Sequence, residues 1–289
     1  MNQKKNNIKL VECPRDAMQG WIDYIPVEKK IIYLNSLLKV GFDTLDFGSF
    51  VSPKAIPQLR DTKEVLRWLD IKNSPTKLLA IIANVRGAEE AVDFNEISFL
   101  GFPFSVSEEF QKRNTNSTIS ESLKRVEEIQ TLCIKNGKEL VVYISMGFGN
   151  PYGELWNADI VIQWVKKLAQ LGIKIIALSD TIGVSNPDNI TELFSNLIPE
   201  FPSIEFGAHL HSRPEKWKEK IIACEKSGCL RYDSALKGIG GCPMAVDELV
   251  GNLATENLVN YFGGPKLLGL DTDAFKESLR EANDIFHWK

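Results

Sequence analysis

"SIEFGAHLHS" (203–212) ends a mostly apolar run on His209 and His211, two of the three histidines in the chain. Side chains alternate along a strand, so the single residue between them sends both imidazoles out of one face. Read as a strand, the stretch delivers two nitrogen donors to one point at its carboxyl end. Such a pair is either two packed histidines or half of a metal site, and the rest of the chain has to decide.

Working outward, a unit of about 30 residues recurs: a β-branched or aromatic run, a turn with Gly or Pro, then a helical pattern. The strand-like runs are "IKLVEC" (8–13), "TLDFGSF" (44–50), "KLLAIIAN" (77–84), "EISFLGF" (96–102), "ELVVYISM" (139–146), "KIIALSD" (174–180), "IEFGAHLH" (204–211) and "RYDSALKG" (231–238). Helical patterns fill the gaps. In "PVEKKIIYLNSLLKVG" (26–41) Pro26 suits a first turn and Gly41 a stop, and in "NADIVIQWVKKLAQLG" (157–172) Asn157 suits an N-cap. The third connection is short and its helix weakly marked. Strict alternation implies parallel strands joined by right-handed crossovers. Eight units predict an α/β fold, a closed (β/α)8 TIM barrel forming a single catalytic domain over 1–289. A doubly wound open sheet is the alternative, disfavoured because no GxGxxG follows the first strand. "DTDAFKESLREANDIFHWK" (271–289) reads as an extra C-terminal helix on the outside.

Composition restricts the function. Apolar content of 44% and charge of 25% are ordinary globular values, and a net charge of −4 without a basic run argues against nucleic acid or an anionic membrane surface as partner. The longest apolar stretch, 78–83, is too short to span a bilayer, and "MNQKKNNIKL" (1–10) lacks the apolar core of a signal peptide. Five cysteines without CxxC spacing predict reduced thiols and a cytoplasmic location.

In barrels of this kind the working residues sit at the carboxyl ends of the strands and in the loops that follow. Strand 1 runs into Arg15 and Asp16, strand 2 carries Asp46 and Ser49, and strand 3 ends on Asn84 before Arg86. Strand 5 has Tyr143 and Ser145, strand 6 ends on Asp180 and Thr181, and strand 7 on His209 and His211. The strand starts hold Lys9, Lys77 and Lys174 instead. Any one of these polar residues alone reads as a cap or a surface group; their convergence on one rim reads as a site.

Two neutral imidazoles and the carboxylate of Asp16 make a mixed nitrogen/oxygen shell for a divalent ion, with Asn252 in "GNLATE" (251–256) as a further oxygen donor. Oxygen donors in the majority favour Mg²⁺ or Mn²⁺ over Zn²⁺, which two histidines keep open. "GIGGCPMA" (238–245) surrounds Cys242 with three glycines. It reads either as a Gly-rich turn with an incidental small apolar residue or as a mobile loop carrying a proton-transfer thiol.

"PRDAMQ" (14–19), "GSFVSPKAIPQLRD" (48–61), "SDTIGV" (179–184), "GAHLH" (207–211), "GIGGCP" (238–243) and "GNLATE" (251–256) resemble the signature blocks of the hydroxymethylglutaryl-CoA lyases, within the wider lyase and Claisen-condensing barrel superfamily. The resemblance covers roughly residues 8 to 262; "GSFVSPK" and "GGCP" are specific to the lyase branch. It implies Asp16, His209, His211 and Asn252 as metal ligands, Arg15 as the group steadying an enolate oxygen, and Cys242 as the loop cysteine that handles a proton. His209, Asp46 and Asp180 are the implied acid–base groups, and Arg15, Gln19, Ser49, Asn84, Tyr143, Ser145 and Thr181 the expected substrate contacts. The implied reaction is retro-Claisen cleavage of 3-hydroxy-3-methylglutaryl-CoA to acetyl-CoA and acetoacetate, in leucine breakdown or ketone-body formation, by a homodimer.

The sequence departs from the family pattern at Asp46, shorter than the expected glutamate, and in "RDAMQGW" (15–21) and "HLHSRPEKW" (209–217), which alter the walls expected around the acyl-CoA. The span from Cys242 to Asn252 is one residue longer than usual. Competing readings are a lyase for a related 3-hydroxy-acyl-CoA, a citramalate- or isopropylmalate-type synthase, whose chains commonly carry a further C-terminal region, a Schiff-base aldolase using Lys237, and a degenerate scaffold barrel.

Overall fold

Eight parallel strands follow one another around a closed barrel: β1 Lys9–Glu12, β2 Thr44–Ser49, β3 Lys77–Ile81, β4 Ile97–Ser105, β5 Glu139–Ser145, β6 Ile175–Asp180, β7 Glu205–Leu210 and β8 Arg231–Ser234. The computed structural model describes residues 7–241 and 250–287. Closure comes from β1 on β8, in register from Lys9 opposite Arg231 to Glu12 opposite Ser234. The barrel expectation holds and the open sheet is excluded.

The apolar runs explain the topology. A parallel strand under a helix is covered on both faces, so β6 "IIALSD" and most of β5 "ELVVYIS" are buried throughout. Leu79, Phe99, Val141, Tyr143, Ile175 and Ala177 form a small cluster inside the barrel, and a larger core lies between the strands and the helices. Each fully buried Leu, Ile or Val there contributes about 1.5–3 kcal/mol of transfer free energy.

Local signals place the helices. Asn157 accepts the Ile160 N–H to start helix Ala158–Gln170, and Gly41, at φ 84°, stops Val27–Val40 in the left-handed region. Pro26 sits one place earlier than expected, at the N-cap. The weakly marked third crossover is a helix, Val85–Val92. Helix Thr272–Ile285 packs outside the barrel beside Val27–Val40, with Phe275 edge-on to Phe42 and Phe286 edge-on to Tyr33 at 6.4 and 5.9 Å.

Three strand ends are corrected. β3 stops at Ile81 and β8 at Ser234, short of the expected 84 and 238, and β4 runs to Ser105, past the expected 102. After β8 the chain makes a 3₁₀ turn in which Lys237 has φ 64° and donates from Nζ to the Phe286 carbonyl at 3.0 Å. That ammonium faces the terminal helix, which removes the Schiff-base reading.

β1 is tied to the chain after β8 by a buried carboxyl. Glu12 accepts from the Leu236 N–H at 2.9 Å and from the Thr255 hydroxyl, and burial pushes its pKa up to about 8.

Candidate active site and metal centre

A cavity of about 430 Å³ opens at the carboxyl ends of the strands. Arg15, Asp16, Gln19, Tyr143, Ser145, Thr181, His209 and His211 all line it, as do Arg113 and Asn114 from helix Glu108–Thr115.

Asp16 and Arg15 enter on the short helix Pro14–Gln19, where Pro14 occupies the first turn. Arg15 donates from Nε and Nη2 to Asp46, the shortest contact being 2.6 Å, and from Nη1 to Asp16 at 2.8 Å and Gln19 at 3.0 Å. A guanidinium has five N–H donors; these contacts leave one on Nη2 uncommitted at the cavity wall. Against the opposing penalty of burial, Arg15 and the two imidazoles hold the Asp16 carboxyl well below the usual carboxylate range.

The alternation read from "AHLH" is borne out: His209 and His211 leave one face, with ring centroids 5.4 Å apart. One ligand atom from each of Asp16, His209 and His211 lies within 4.8 Å of the others. Asp233 Oδ2 meets His209 Nδ1 at 3.0 Å, turning Nε2 away from Asp233. His211 is buried, and among the described residues neither of its ring nitrogens completes a hydrogen bond, although the Thr181 backbone lies close enough to favour the charged form slightly. Burial and His209 push its pKa down to about 4, so the ring is a neutral donor at pH 7. Asn252 donates from Nδ2 to Asp16 Oδ2 at 2.8 Å and to the Ile239 carbonyl at 2.9 Å, which holds its amide against the carboxylate.

These residues fit a divalent cation. The orphaned imidazole nitrogens, the strongly ionised carboxylate and the neighbouring Asn252 amide offer the mixed nitrogen/oxygen set such an ion takes. A second grouping of Cys13, His209 and Asp233 shares His209. There Nδ1 is already bonded to Asp233, and burial pushes the Cys13 thiol well above its ordinary value, so it stays protonated and bonded to the Val11 carbonyl.

Two expected substrate contacts and two expected acid–base groups lie off the cavity wall. Ser49 accepts the Val51 N–H, Asn84 caps the helix Val85–Val92 through the Gly87 N–H, and neither lines the cavity. Asp180 is buried with Val184 N–H, the Ser185 N–H and hydroxyl, and the Lys220 ammonium on its two oxygens. It braces the loop after β6 and does not line the cavity. Asp46 is also behind the wall: the shorter side chain ends on Arg15, and burial pushes its pKa up to about 6 against that guanidinium. Cys242 lies outside the described residues. Gly240, two residues earlier, has φ 112°, and a Cβ there would stand 2.3 Å from the Asn252 side-chain nitrogen. The chain leading to Cys242 thus presses on the candidate metal site.

Sequence reading missed Asp233 and Lys220. The signal for Asp233 was its place in "RYDS", an acid within a strand that the barrel buries; Lys220, on helix Trp217–Lys226, carried none.

The chain matches the HMGL-like family model over residues 7–284. It is 33% identical to the mitochondrial hydroxymethylglutaryl-CoA lyase of Bos taurus over 278 residues, covering 95% of this chain and 83% of that protein. With the hydroxymethylglutaryl-CoA lyase YngG of Bacillus subtilis it shares 33% over 258 residues, or 89% and 84% of the two chains. The solved HMG-CoA lyase of Acinetobacter baumannii, in complex with coenzyme A and 3-methylmalate, superposes with a TM-score of 0.86 at 30% identity, covering 97% of this chain and 92% of that one. The chain belongs to the HMGL-like family and is an enzyme of the carbon–carbon lyase class.

Proposed function

We propose that this enzyme cleaves 3-hydroxy-3-methylglutaryl-CoA to acetyl-CoA and acetoacetate. The observation that carries the reading is the meeting of Asp16, His209 and His211 beside Arg15 at one end of a cavity large enough for the acyl group. The names of the relatives point to the same substrate.

In this reading Asp16, His209 and His211, with Asn252, would hold Mg²⁺ or Mn²⁺. Bound there, the ion would supply electrophilic polarisation to the substrate oxygens and ease loss of the tertiary hydroxyl proton. Arg15 offers its uncommitted N–H to the thioester oxygen, where negative charge grows as the carbon–carbon bond breaks. Tyr143, Ser145 and Thr181 shape the wall that orients the acyl group. Asp46, whose pKa burial raises to about 6, is the acid–base group for the hydroxyl proton, although its carboxylate is bonded to Arg15 and does not line the cavity. Asp180 is a brace and not the base. Cys242 protonates the acetyl-CoA enolate from the loop after β8, and its thiol must be protonated at that moment.

Of the residues that break the family pattern, Ala17, Gly20, Trp21, Ser212, Arg213 and Pro214 line a second groove, which also meets Asn252, and none of them lines the acyl cavity. One barrel over 1–289 forms the catalytic unit of this proposal, as a homodimer in a reducing, cytoplasmic setting. Cys13, Cys133, Cys224 and Cys229 are free and buried, and no helix among the described residues is long and apolar enough to cross a membrane.

Acetoacetate release from the HMG thioester, measured after chelation and again with Mg²⁺ or Mn²⁺ restored, is the test. Activity is expected only with the ion. Full activity in chelator would end the metal assignment, and no acetoacetate under any condition would end the substrate assignment.

A further inference from the structure

The two candidate ligand histidines are held in different ways. His209 is fixed through its ring by Asp233. Among the described residues no side chain bonds a nitrogen of the His211 ring, so its aim depends largely on its backbone. That backbone is gripped from two sides: His211 pairs with Asn252 in an isolated antiparallel bridge, and its carbonyl accepts from Lys220 Nζ at 2.8 Å.

Lys220 is an unusual residue to find there. Its side chain is 4% exposed, and a buried ammonium is costly unless every donor is matched. All three are: Asp180 Oδ2 at 2.8 Å, the His211 carbonyl at 2.8 Å and the Gly183 carbonyl at 3.3 Å. The ammonium therefore pins the end of β6, the loop after it and the end of β7 to one point. Asp180, which carries no partner in the cavity, supplies the counter-charge that lets Lys220 be buried.

We propose that Lys220 is a positioning residue for His211, doing through the main-chain carbonyl what Asp233 does for His209 through the ring. The inference rests on the metal reading above and adds a named residue to it. Outer contacts of this kind are worth about 10–100-fold in metal affinity or activity. The Asp180–Lys220 pair has a matched counterpart in the same fold: Lys30 and Asp61 are also buried and 2.8 Å apart, but the Lys30 ammonium bonds the Gln58 carbonyl and no candidate ligand.

The experiment compares Mn²⁺ affinity, by titration of the folded protein, in wild type, His209→Ala, the double variant Lys220→Met/Asp180→Asn and the double variant Lys30→Met/Asp61→Asn. Removing both charges together avoids leaving one buried and unpaired. The expected result is tenfold or greater weakening in the Lys220 pair variant, with little change in the Lys30 pair variant although both lose stability. Equal Mn²⁺ affinity in the folded Lys220 pair variant and wild type overturns the Lys220 assignment alone. If wild type binds no better than His209→Ala, the metal reading fails and takes this inference with it. Should Lys220→Met/Asp180→Asn not fold, Lys220→Arg provides the readout: a longer, forked cation cannot meet the same three oxygens and should weaken Mn²⁺ at least threefold, and unchanged affinity overturns the assignment.

Discussion

Asp233 Oδ2 stands 3.0 Å from His209 Nδ1 although 24 residues separate them in the chain, and Asp233 is wholly enclosed by the barrel. The carboxylate settles which ring nitrogen is left for the cavity. Asp233→Asn keeps the shape but loses the charge, so the ring loses its preference of tautomer and orientation. A 10–100-fold loss of Mn²⁺ affinity or turnover is expected, read by titration and steady-state kinetics. Wild-type values for both would remove Asp233 from the site.

Arg15 bonds Asp46, Asp16 and Gln19 at once, which requires a planar fork. A lysine at that position has one point charge and cannot hold three partners and a substrate oxygen. For Arg15→Lys, kcat should fall by about 10²–10³, since the lost contact is strongest when the enolate charge develops. A change confined to KM would make Arg15 a binding residue only.

Cys242→Ser should keep Mn²⁺ affinity and lose most turnover, because an alcohol is a far weaker proton donor than a thiol at neutral pH. A wild-type rate would leave the loop cysteine without its part in the chemistry.

Glu12 makes stability depend on pH. Its folded pKa of about 8 exceeds the ordinary 4.5, so between those values the folded state holds a proton that the unfolded state has released. The contribution is complete below pH 4.5 and is lost as pH rises through about 8, an effect on the order of a few kcal/mol. Glu12→Gln reproduces the protonated group, with its amide facing the Thr255 hydroxyl. Urea unfolding between pH 5 and 9 should show the variant gaining on wild type as pH rises. Parallel profiles would count against it.

The barrel was legible because its cause is local. β-branched runs at even spacing, Asn157 at a helix start and Gly41 at a helix end carry their meaning within a few residues. "AHLH" belongs to the same class: a period of two sends both rings one way wherever the strand lies. Arg15, Asp16, Tyr143 and Thr181 followed from a rule about strand ends that needs only strand order. The same rule failed for Ser49, Asn84 and Asp180. A short polar side chain at a strand end can equally turn back on the backbone, and the neighbouring N–H groups that attract it are invisible in a list of residues.

Sequence order alone thus dictated the architecture, the rim that carries the chemistry and the face shared by the two histidines, since alternation and capping act between near neighbours. Closure of the barrel decided the rest. It brought Asn252 to Asp16 across 236 residues, while the packing of neighbouring units brought Lys220 to Asp180 across 40 and placed Asp233 behind His209. A buried charge finds its partner by position in space, and for Asp16 and Asn252 that position exists only once β8 has docked on β1.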